Sequence, residues 1–160
     1  MKACLVWELP APCCEHVSRV VEDYLGPSGV TLPHRAVNGL PLHLTLVPPF
    51  KTSRAELQPA PVFPNPVPWT VDFANLGTFR NRGGVIYAPV FGGFPGDILP
   101  VVPTDPHLTL AKDISLFNLP LIYKGLARVF KVFGARTYGV TEFTWYVKRK
   151  EGVKWERYEG

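Results

Sequence analysis

The chain has 160 residues, 46% of them apolar and 19% charged, a composition that fits a globular protein and excludes a disordered one. A formal charge of +4 and a pI near 9.1 admit an anionic partner without demanding nucleic acid. With no charged-then-apolar leader and no apolar run of bilayer length, a cytoplasmic protein without a membrane partner is expected.

Residues 2–9 (KACLVWEL) read as a short apolar strand. The segment 13–26 is opened by Pro12 and closed by Gly26-Pro27. Its Val17, Val20, Val21 and Tyr24 fall at helical spacing, so an amphipathic helix is predicted. A loop with His34 and Arg35 leads to a strand over 41–47, which Pro48-Pro49 is expected to end. Ser53 and Glu56 form a capping-box pattern, but prolines from Pro59 onward leave room for barely two helical turns. Residues 69–79 and 84–91 flank Arg80-Asn81-Arg82-Gly83 as a strand–turn–strand signal. A Gly/Pro-rich connection follows, then a strand over 106–112. A helix over 119–133 has Ile122, Leu126, Val129, Phe130 and Phe133 as its buried stripe and Gly134 as its stop. Residues 137–149 alternate as one strand, and 153–159 close a last hairpin. Strands and helices in this order predict an α+β fold with antiparallel sheets and an approximate internal duplication.

Three cysteines, Cys4, Cys13 and Cys14, lack both CxxC spacing and a later cluster to complete a zinc site. They read as reduced packing residues.

The chemistry lies in a repeated tetrad. His43-Leu44-Thr45-Leu46 recurs as His107-Leu108-Thr109-Leu110, a coincidence that composition alone produces in about one of a thousand such chains. In a strand, residues i and i+2 share a face, so each leucine pair anchors its strand while an imidazole and a hydroxyl project from the other side. Two such strands brought together offer a proton acceptor, a proton donor and two hydroxyls. That set suits a phosphoryl group: imidazoles transfer the protons and threonines bind oxygens where charge gathers. The acidic residues show no clustered ligand spacing, so no metal and no cofactor is expected.

These motifs resemble those of the two-histidine (2H) phosphoesterase superfamily, in particular its 2′-5′ RNA ligase and RNA 2′,3′-cyclic phosphodiesterase group. The paired tetrads, the segment VDFANLGTF (71–79) and the closing stretch 140–159 carry the resemblance, which covers most of the chain. It implies one bilobal, pseudo-twofold domain over 1–160, with a central cleft between the two tetrad strands. It also implies cleavage or ligation of a phosphodiester by His43 and His107, with Thr45 and Thr109 holding the phosphate. The partners would be RNA ends or small nucleotides bearing a 2′,3′-cyclic phosphate or a 2′-5′ linkage, and the chain would act as a monomer. His107 is taken as base and His43 as acid. Two departures from the family pattern, the short Gly/Pro-rich loop between Val90 and Thr104 and Lys112 where arginine is common, bear on the substrate.

Around the tetrads, Lys51 and Lys112 are candidates for substrate phosphates, as are Arg80 and Arg82 at the hairpin tip. Tyr87, Phe50 and Trp145 are candidates to stack on a base. His16 and His34 read as surface residues. Two other functions fit the same scaffold: degradation of cyclic oligonucleotide signals, and a non-catalytic module that holds an RNA end or nucleotide. A duplicated structural domain without a site is the plainest alternative.

Overall fold

Alternation decides which side of each strand meets the core, and the strands assemble accordingly. The computed structural model describes residues 1–26, 39–80 and 83–160; His34, Arg35 and Arg82 lie outside them. The strands are β1 (Lys2–Glu8), β2 (His43–Lys51), β3 (Val62–Asp72), β4 (Gly77–Phe79), β5 (Gly84–Gly92), β6 (His107–Ile114), β7 (Ala135–Glu142), β8 (Thr144–Lys148) and β9 (Glu156–Arg157). Helix α1 (Ala11–Leu25) follows β1, and α2 (Leu119–Phe130) follows β6. The fold is α+β, with a large antiparallel sheet and two α-helices among the described residues.

The sheet order is β7-β3-β5-β6-β2-β1-β8-β9, with β4 attached to β5. The two tetrad strands, β2 and β6, are therefore neighbours at its middle. Leu44, Leu46, Leu108 and Leu110 are buried in one large cluster with Val17 and Val21 of α1 and Leu126 and Phe130 of α2. Both helices thus cover the leucine face, and the histidines belong to the other. Glycine permits close approach here: a Cβ on Gly125 of α2 would collide with the Tyr24 hydroxyl of α1. A smaller cluster on the histidine face joins Cys4, Val6, Leu40 and Tyr146, with Trp155 packed against it. Burial pushes the Cys4 thiol up to about 12, and none of the three cysteines is in a disulfide. Among the described residues no helix is long and apolar enough to cross a membrane.

Several boundaries differ from the sequence reading. Pro48-Pro49 does not end β2, because the ladder with β1 skips from Leu5↔Val47 to Ala3↔Phe50. The prolines sit in that irregularity, where no ladder N–H is needed. The Ser53–Glu56 contact forms, with Glu56 accepting from the Ser53 amide (3.0 Å) and hydroxyl (2.8 Å), but around a turn rather than a helix. Strand β3 begins earlier, at Val62, and passes through Pro64, Pro66 and Pro68. Prolines at alternate positions withhold their N–H groups on one edge, and β5 joins β3 only from Trp69 onward. The predicted strand over 69–79 breaks at residues 73–76, so the hairpin arm pairing with β5 is the short β4. The predicted helix over 119–133 is α2 plus a 3₁₀ turn at Lys131–Phe133, and Gly134 follows at φ 65°.

The largest difference is at residues 137–149. That run is two strands: β7 pairs with β3 at one end of the sheet order and β8 pairs with β1 near the other. Buried Phe143 is the single residue between them. The expected duplication by sequence halves therefore becomes a different division. Strands β3–β7 form one side of the sheet, and β1, β2, β8 and β9 form the other.

Candidate active site at the junction of β2 and β6

Leu44 pairs with Leu108 across the junction. Antiparallel geometry then sets His43 beside Thr109 and Thr45 beside His107, with the histidines on a diagonal at roughly 7 Å between Cβ atoms. Leu44 and Leu108 are fully buried, whereas His43, His107 and Thr109 are half-buried and Thr45 is exposed. The four side chains share the face opposite the helices. No other described residue engages either threonine hydroxyl.

The two imidazoles are held in the same way. His43 Nδ1 lies 2.6 Å from the Pro41 carbonyl, and His107 Nδ1 lies 2.7 Å from the Asp105 carbonyl. Each contact reaches back two residues. A carbonyl has no proton to give, so Nδ1 donates in both cases, and Nε2 carries the lone pair of each neutral ring.

Their surroundings differ. Burial lowers the His43 pKa below the ordinary 6.5, and the positive charges of His107 and Lys112 push the same way. The Pro41 carbonyl and the Glu8 carboxylate oppose that shift. Glu8 is the ladder partner of His43 on β1, and it accepts hydrogen bonds from the Tyr146 hydroxyl and from Arg157 (2.6 Å). His107 instead stands edge-on to two aromatic rings, Phe79 at 5.0 Å and Tyr87 at 5.3 Å. Those rings stack on each other at 4.3 Å. Tyr87 is the ladder partner of Thr109 and also lies over Gly77, where any Cβ would strike its ring. Beside them opens a recess of about 410 Å³, lined by Tyr87, Pro89, Phe91, Phe94, Thr104 and Asp105.

The candidate residues thus separate into two groups. His43, Thr45, His107, Thr109, Lys112 and Tyr87 come together. Lys112 does so because the β5–β6 register shifts between Tyr87↔Thr109 and Ile86↔Ala111, which turns Ala111 into the core.

The remaining candidates lie elsewhere. Lys51 lies opposite Lys2, six residues along β1 from Glu8, so an extended strand holds it roughly 20 Å from His43. Phe50 and Trp145 pair with Ala3 and Leu5 on the helix face, meet edge-on at 6.0 Å and line a separate pocket of about 500 Å³. Arg80 is exposed just after β4. His16 is exposed on α1, as expected, against the Phe133 ring. Sequence reading missed Glu8, Phe79, Tyr146 and Arg157, which reach the site through strand pairing. Among the described residues, no three or more His, Cys, Asp or Glu side chains gather as a metal-ligand set.

No protein-family model matches the chain, and no curated protein matches it.

Proposed function

We propose that this protein is a metal-independent phosphodiesterase of the two-histidine type. Its substrates would be RNA 2′,3′-cyclic phosphate ends, or 2′-5′-linked or cyclic nucleotides, and 2′-5′ ligation would be the reverse of cleaving a 2′-5′ bond to a 2′,3′-cyclic phosphate and a 5′-hydroxyl. One observation carries the reading. Two His-Leu-Thr-Leu strands meet at Leu44↔Leu108, each with Nδ1 donating to the carbonyl two residues back and a threonine hydroxyl two residues on. The sheet order, with the β2–β6 junction at its middle, supports two lobes related by a pseudo-twofold.

In hydrolysis of a cyclic phosphate, a water oxygen attacks phosphorus while one Nε2 accepts its proton. The bond from phosphorus to one ribose oxygen breaks, and the other Nε2 gives that oxygen a proton. The product is a phosphomonoester. Thr45 and Thr109 donate to the non-bridging oxygens, where charge accumulates in the transition state. The lowered pKa of His43 favours its neutral form and so suits it as the base, with His107 as the acid. This reverses the assignment expected from sequence. The recess beside Tyr87 has room for a nucleoside next to the phosphate.

The test is incubation with 2′,3′-cyclic mononucleotides, 2′-5′-linked dinucleotides and cyclic dinucleotides, with product analysis in the presence and absence of EDTA. Turnover that survives EDTA and falls roughly 10²–10⁴-fold in both His43→Ala and His107→Ala is expected. Turnover unaffected by either substitution would overturn the proposal. Binding of these nucleotides without turnover would favour a module that only holds them.

A further inference from the structure

Far from the histidines, three lysines stand in a row. The β1–β2 ladder sets Lys2 opposite Lys51, and the β1–β8 ladder sets Lys2 opposite Lys148. Paired residues of neighbouring antiparallel strands point to the same face, so three ammonium groups line up across three strands on the histidine face. Like charges directly opposite one another destabilise a sheet, so the row opposes folding. It borders a pocket of about 250 Å³, which Thr52, Lys150 and Glu151 also line.

The row already holds one anion. Glu151 meets Lys2 at 2.6 Å and Lys148 at 3.9 Å. Lys2 first, then Lys148 and, more weakly, Lys51 hold its carboxyl below the usual carboxylate value. Yet Glu151 is 74% exposed and stands on a turn beside Gly152, whose φ is +82°. Neighbouring Arg149 is occupied by Glu156 at 2.6 Å. Among the described residues, Lys51 and Lys150 have no carboxylate within ion-pair distance. One exposed carboxylate therefore faces the three ammonium groups of the row.

We infer that the Lys2–Lys51–Lys148 row is a second anion site, which takes the backbone phosphates of a single-stranded oligonucleotide and in which Glu151 is the resident competitor. The choice of an oligonucleotide rests on the function proposed above. Row and histidines share one face of the sheet, and six residues of β1 separate them by roughly 20 Å. A strand whose end reaches the histidines meets the row only if it is several nucleotides long. A mononucleotide bound at the histidines does not touch it.

The test is fluorescence anisotropy of a labelled single-stranded RNA dodecanucleotide and a dinucleotide across a salt series. It uses the wild type, the triple variant Lys2→Gln/Lys51→Gln/Lys148→Gln, and Glu151→Gln. For the dodecanucleotide, the triple variant is expected to bind at least about tenfold more weakly, with a log–log salt slope shallower by roughly 2, at 0.7 per phosphate contact on a single strand. Glu151→Gln is expected to bind more tightly, and dinucleotide binding to be unchanged in both. Because Glu151→Gln must gain affinity, a folding defect in the triple variant cannot imitate the result.

Turnover of a 2′,3′-cyclic mononucleotide, measured in parallel, separates the two proposals. Its loss in the wild type would sink the phosphodiesterase and leave the anisotropy result standing. Equal dodecanucleotide binding by all three proteins would overturn the row as a nucleic-acid site. So would row-dependent binding to phosphatidylserine vesicles or to a polyglutamate peptide with no row-dependence for RNA.

Discussion

At the scale of single residues, the two histidines share a hydrogen-bonding plan and differ in environment. If His43 is the base, the acid limb of the pH–rate profile marks protonation of His43, below 6.5. Glu8 raises the His43 pKa, so Glu8→Gln is expected to lower it and move the acid limb to lower pH. A pH–rate profile with NMR titration of the His43 imidazole checks both; an unmoved acid limb would dissociate Glu8 from His43. The same shift couples to folding. A histidine whose pKa is lower folded than unfolded leaves the unfolded chain binding more protons in the intervening window. Stability is therefore full above about 6.5, the unfolded value, and declines as pH falls toward the folded pKa of His43. Urea titrations of wild type and His43→Gln at pH values across that window are expected to show the slope in the wild type and a reduced one in the variant. Thr45→Val and Thr109→Val remove one hydrogen bond each, and are expected to reduce kcat less than loss of either histidine.

At the scale of elements, orientation follows from register. Gly77 on β4 lies under the Tyr87 ring, which with Phe79 flanks His107. Gly77→Ala must displace that ring, at a cost of about 1–3 kcal/mol by analogy with overpacked sites. A lowered Tm and reduced kcat are expected together; a fall in Tm alone would detach the aromatic pair from His107. The tetrads were legible in the sequence because period-two alternation and repetition are local signals. Phe79 and Glu8 were not, because cross-strand neighbours depend on pairings between distant segments. Phe50 and Trp145 were misplaced for a related reason: strand alternation names two faces without saying which is covered by helices. Lys51 was placed beside the tetrad by adjacency in sequence, but an extended strand moves away from a site faster than any other structure. The run 137–149 alternates without interruption, so nothing local reveals that Phe143 divides it between two sides of the sheet.

At the scale of the whole molecule, a single buried cluster spans both sides of the junction. It contains Trp69 and Phe73 from the β3 side and Leu5, Leu44 and Trp145 from the β1 side. Phe130, fully buried and stacked on Phe73 at 5.8 Å, lies within it. Phe130→Ala is expected to cost about 3–5 kcal/mol. Because the cluster is shared, the sheet should unfold as one unit, with far-UV circular dichroism and tryptophan fluorescence giving coincident urea transitions. Separate transitions would mean that the two sides are stable independently.

The passage of the chain from β7 to β8 also has a consequence for biosynthesis. Strand β1 lies between β2 and β8, and β8 leaves the ribosome more than a hundred residues after β1. During that interval, Ala3, Leu5 and Trp7 belong to a strand with one open edge, the kind of template that captures other chains. Nascent chains halted after β7 should therefore aggregate or recruit chaperones, and release of β8 should end that vulnerability.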